Sequence, residues 1–150
     1  MDFKKLTKPD KLERCSFLWS QARLIIAAIA LFLGGIPPVL AFNPIPALYS
    51  PLSSLLTLAW IISGAASAYL LYRWNANKQK IFGGKAPLDT AAFFVSVATG
   101  INLGITGLIG TNIGMAISSN RVIFVIVALL YLAATAHLFQ RWNASKQKIF

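Results

Sequence analysis

Acidic residues, histidine and cysteine are all scarce in this chain, and each shortage removes a class of chemistry. Asp and Glu number four in 150 residues, and there is one His and one Cys. The lone Cys15 excludes a disulfide framework and a thiolate metal site within one chain. The four acids, Asp2, Asp10, Glu13 and Asp89, all stand outside the apolar runs or at their edges. No carboxylate is therefore placed to carry protons through an apolar span. With one His and no acid beside it in sequence, a nucleophilic triad has no candidates. Catalysis is not expected, and the glycine-rich stretch Gly100 to Gly114 sits inside an apolar run instead of between a strand and a helix, so it is no phosphate cradle.

What is abundant is apolar. Hydrophobic residues make up 57% of the chain and charged residues 12%, about half the usual charged share of a soluble domain. Four runs stand out: Leu24 to Phe42, Leu52 to Tyr72, Thr90 to Gly114 and Val122 to Phe139. Each is near the roughly 20 residues a bilayer-spanning helix needs. The first is too long for the apolar part of a signal peptide and has no small-residue cleavage site before Asn43, so it is read as a retained span. The expected fold is an all-α integral membrane protein with four transmembrane helices.

The formal charge of +10 does not point to nucleic acid, because the basic residues flank apolar runs instead of forming a folded polar face. They instead set topology. Counting Lys4, Lys5, Lys8, Lys11, Arg14 and Arg23 before the first run, Arg73, Lys78, Lys80 and Lys85 between the second and third, and Arg141, Lys146 and Lys148 at the end, thirteen of fourteen fall on one side. Arg121 is the exception. Positive residues in short loops stay in the cytoplasm, so both termini are expected there.

An internal repeat is the most specific signal. Ala65 to Phe82 reads AASAYLLYRWNANKQKIF and Ala133 to Phe150 reads AATAHLFQRWNASKQKIF, identical at 13 of 18 positions at an offset of 68. The unit is a whole helical hairpin. An even number of spans per unit gives the two copies the same orientation, related by an axis along the membrane normal. The expected organisation is a basic cytoplasmic segment 1–23 of amphipathic character, opened by a capping pattern at Thr7 and Asp10, then hairpin repeats 24–82 and 83–150. Arg73 and Trp74, and Arg141 and Trp142, read as interfacial anchors. With Lys78, Lys80, Lys146 and Lys148 they form two basic feet, whose Ile-Phe ends would fold back to the acyl boundary and which would dock anionic headgroups or a partner.

Within the spans, Gly64 and Ser67 in the second and Gly100, Gly104, Gly107, Thr111 and Gly114 in the third form stripes of small residues suited to close helix packing. Asn102 and Asn112, with Thr99 and Thr106, are the polar groups available to line a path. His137 is the single candidate axial ligand for a haem or pigment. Three functions follow. The favoured one is a non-catalytic structural or accessory subunit, using its small-residue faces against other membrane subunits or copies of itself. The alternative is a small homo-oligomeric channel or facilitator for an ion or polar solute. Third stands a haem or pigment carrier through His137.

Overall fold

The computed structural model describes residues 8–150, so Asp2, Lys4, Lys5 and Thr7 lie outside it. The described residues are all helical apart from loops and one isolated bridge between Ile81 and Gly84. The order is α1 (Pro9–Phe32), α2 (Pro38–Ala41), a 3-10 turn (Pro46–Leu48), α3 (Tyr49–Ala76), α4 (Pro87–Ile109), α5 (Ile113–Ile117) and α6 (Arg121–Ala144). Four of these, α1, α3 with its 3-10 lead-in, α4 and α6, are long and apolar enough to cross a membrane. Their outward faces carry large apolar side chains such as Leu55, Leu58, Ile62, Val122, Ile126 and Leu129, a surface that suits lipid and not water.

Helix boundaries follow from local chemistry. Proline at the first helical position opens α1 and α4, where its missing N–H is no loss, and Asp10 and Asp89 stand in the first turns, where a negative charge meets the helix dipole. Asn120 caps α6 by accepting from Val122 N at 2.8 Å. The end of α4 is set by Gly110, which takes φ 75°, a left-handed conformation that L side chains resist.

The boundaries of the first and third spans differ from the sequence reading. The first long helix does not begin at Leu24: α1 runs unbroken from Pro9 to Phe32, so residues 9–23 of the segment read as cytoplasmic and amphipathic belong to it. The residues from Leu33 to Leu48, read partly as span, form a loop with Gly34 and Gly35 at positive φ, followed by two short helical turns. The third span stops at Ile109 instead of Gly114.

The four long helices form a bundle in which α1 packs on α3 and α6, α4 packs on α3 and α6, and α1 also touches α4 across the middle. The closest seam is α3 against α4. There a Cβ added to Gly104 would sit 2.7 Å from Gly64 Cα, and one added to Gly107 would sit 3.0 Å from Thr57 O. Glycine at these positions lets the two backbones touch.

One end of the bundle gathers the start of α1, the α3–α4 loop and the chain end; the other gathers the two loops that lack charge, with Arg121 beside them. The first end is closed by aromatics. Phe17 of α1 packs on Trp142 of α6 at 5.4 Å and on Phe82 at 6.3 Å. Phe93 of α4 packs on Trp74 of α3 and on Phe150, each at 6.1 Å. Ile81 and Ile149 are buried within this cluster at 1% and 4% exposure.

Candidate functional site

The two tails enter the cluster by the same backbone route. Lys78 and Gln79, and Lys146 and Gln147, all take φ near 60°, which is uncommon for residues other than glycine. Gln79 N donates to Trp74 O at 3.0 Å and Gln147 N to Trp142 O at 2.9 Å. Each reversal turns the chain back so that isoleucine enters the bundle. The feet then join directly, Phe82 N donating to Ile149 O at 2.7 Å. Trp142, read as a headgroup anchor, is 5% exposed, and the indole N–H groups of both Trp74 and Trp142 are buried without an acceptor. Lys78, Lys80, Lys146 and Lys148 remain exposed.

Two ion pairs flank the cluster. Glu13 of α1 pairs with Arg73. Asp89 of α4, 2% exposed, receives Arg141 Nε and Nη2, each at 2.9 Å, and lies 2.7 Å from His137 Nε2. His137 Nε2, one of its two possible ligating nitrogens, is thus engaged by a carboxylate. Among the described residues, no three His, Cys, Asp or Glu side chains are grouped to hold a metal ion.

The small-residue stripes face each other. Gly64 and Ser67 on α3 meet Gly104 and Gly100 on α4 inside the chain, and Gly107 lies against Thr57 and Ile61 of α3. Thr111 is exposed in the turn after α4. Asn102 reaches beyond the end of its own helix: its Nδ2 donates to Asn112 Oδ1 at 2.9 Å and its Oδ1 accepts from Ile113 N at 3.0 Å, holding the α4–α5 turn over the bundle. Asn112 also caps α5 by accepting from Met115 N, with Gly114 alongside. Thr99 and Thr106 spend their hydroxyls on backbone carbonyls four residues back.

The residue that sequence reading misplaced is Arg23. Assigned to the cytoplasmic flank, it lies past the midpoint of α1 and is 5% exposed. Its guanidinium is held by Ser67 Oγ at 2.8 Å, by Ser63 O at 3.4 Å and by the carbonyl and hydroxyl of Ser96, the hydroxyl at 3.3 Å. A Cβ on Gly100 would overlap both the guanidinium and the Ser67 hydroxyl. Glycine there makes the space that the charge occupies. A lone arginine at the centre of a spanning helix costs roughly 2.5–3.5 kcal/mol on insertion scales, and three serines from two other helices offset part of it. The visible signals were Ser63, Ser67 and Ser96 in otherwise apolar runs, but nothing in the sequence tied them to one arginine.

Arg23 lies at the inner end of a cavity of about 260 Å³ that extends to the two uncharged loops, reaching Pro37 and Pro38 on one side and Asn112 and Ser118 on the other. Trp19, Trp60, Thr99, Asn102 and Tyr131 form its walls. Trp19 is fixed there by donating Nε1–H to Ser63 Oγ at 2.9 Å. A shallower groove between α4 and α6 shares Thr99, Asn102, Val127 and Tyr131 with the cavity. The arrangement offers one buried cation, several neutral polar groups and an apolar wall, a combination suited to holding a small solute. In comparisons with protein families, curated proteins and solved structures, nothing matches this chain.

Proposed function

We propose that this chain is a non-catalytic multi-pass membrane protein of two tandem hairpins in parallel orientation, with both termini in the cytoplasm. The 13 identities in 18 tail positions and the shared φ reversal at Lys78–Gln79 and Lys146–Gln147 support the duplication. So does the exchange of aromatic partners, in which Phe17 meets the tryptophan of the second tail and Phe93 that of the first. The orientation rests on the gathering of basic residues at one end, which positive-inside topology keeps in the cytoplasm.

Of the functions weighed, a small channel or facilitator for a polar solute fits best. The observation that carries this reading is the cavity that runs from the uncharged loops to Arg23. It is reached from the uncharged loops and from the side through the groove between α4 and α6, and none of the aromatic residues at the other end of the bundle lines it. Purified protein in liposomes should release or admit at least one member of a panel of ions and small polar solutes faster than empty vesicles do. Equal rates across the whole panel would refute it.

A second reading, the accessory subunit, draws support from the four exposed lysines of the matched feet, each worth about 1 kcal/mol beside an anionic surface. Its other basis has weakened, since the small-residue faces it would offer to foreign helices are engaged with each other. Gentle extraction followed by mass spectrometry distinguishes the two: stoichiometric companions favour the subunit, a homogeneous preparation the facilitator.

A further inference from the structure

Building on the facilitator reading, we propose that the Arg23 cavity binds a monovalent anion. Among the described residues no carboxylate pairs with Arg23: the buried acids Glu13 and Asp89 are committed to Arg73 and to Arg141 with His137. The groups that hold the guanidinium are neutral oxygens of serines. They accept from its two Nη groups and leave its charge uncompensated, in surroundings where an unpaired charge is costly. One donor is not satisfied at all, because Arg23 Nε is buried and has no acceptor.

The rest of the lining agrees with an anionic guest. Thr99, Asn102 and Tyr131 are neutral, and no acidic side chain borders the cavity. Gly100 keeps the guanidinium in place by leaving it room. A single positive charge selects a single negative one, since a divalent anion would carry a second charge into the low-dielectric interior without a partner. Halide, nitrate and carboxylate share this chemistry. The carboxylate has two sources, a soluble one through the uncharged loops and a membrane-borne amphiphile through the groove between α4 and α6.

Trp19 and Trp60 line the same cavity and report on it. In neutral detergent at constant ionic strength, iodide should quench the tryptophan emission with a saturable component. That component should weaken roughly tenfold or more in affinity in Arg23→Gln and persist in Arg23→Lys, while acrylamide, which is uncharged, quenches all three alike. Chloride and nitrate should relieve the iodide effect in the unmodified protein, and sulfate should not, a comparison that needs no variant to fold. Acetate and decanoate separate the sources: equal potency identifies a soluble anion, and much greater potency of decanoate a membrane-borne one. Quenching that is linear in iodide, or sulfate competing as well as chloride, would overturn the proposal. Flux of a neutral solute without saturable iodide quenching would refute the anion site and keep the facilitator; saturable quenching without any flux would do the reverse.

Discussion

Substituting Gly104 by alanine tests whether the α3–α4 seam sets the stability of the bundle. The added methyl would lie 2.7 Å from Gly64 Cα and 3.4 Å from Gly64 N, and backbone atoms cannot rotate away as a side chain can. The helices must separate by about 1 Å, which forfeits a quarter to a half of each dispersion contact worth ~0.1–0.2 kcal/mol. Over roughly 50 atom pairs along the seam the loss is about 2–4 kcal/mol. Alanine returns about 1 kcal/mol of helix propensity, leaving a net destabilisation of about 1–3 kcal/mol. Unfolding of the purified protein by SDS in mixed micelles would measure it. Gly84→Ala is the matched control, since no atom lies within 4 Å of its added Cβ, and should fall within about 0.5 kcal/mol of the parent. A Gly104→Ala protein as stable as that control would refute the reasoning.

Three further outcomes are expected. Asp89→Asn removes the charge that holds Arg141 and His137; because the Arg141 side chain is 41% exposed and can turn to water, the loss should be about 1–2 kcal/mol and not the full cost of an orphaned buried charge, measured in the same SDS titration. Ile149→Ala, one residue from the chain end, should cost about 2–4 kcal/mol as a core truncation does, whereas Lys148→Ala beside it should be neutral by thermal unfolding. With Cys15 replaced by Ser, a cysteine at Ser119 should react with an impermeant maleimide on intact cells and one at Lys80 only after permeabilisation; the reverse pattern would invert the topology.

The number of long helices and their apolar nature were legible from composition and run length alone. Where the reading slipped, a compensating group lay on another helix or in the backbone. Arg23 looked like a boundary because an arginine within a span is costly; the serines and the glycine that accommodate it belong to α3 and α4. Ile81 and Ile149 were read as folding back to the acyl boundary and not into the bundle, because nothing in KQKIF announces a left-handed turn at lysine and glutamine. The third run was taken to Gly114, although Gly110 already supplied the stop that a left-handed residue gives. The glycine and serine stripes were visible as close-packing faces, but which helix each would meet was not. Thr99, Asn102 and Asn112 were picked out as polar groups that could line a path and do border the cavity, but its shape and the place of Arg23 in it could not be read, since four helices and two loops contribute to its wall.

The crossing of aromatic partners at the closed end has a consequence for how the halves depend on each other. Phe17 rests on a tail from its own half and a tryptophan from the other, and Phe93 does the same in return. Residues 8–85 alone would leave Phe17 without Trp142 and Trp74 without Phe93. Such a fragment carries both members of each contact type, so two copies can satisfy one another around a two-fold axis, as isologous interfaces do. Expressed as separate chains, the halves should find each other in the bilayer, and the first half should also pair with itself. The loop Gly83–Gly84–Lys85 would then be a tether that fixes stoichiometry, ensuring that each assembly holds a single Arg23 instead of two.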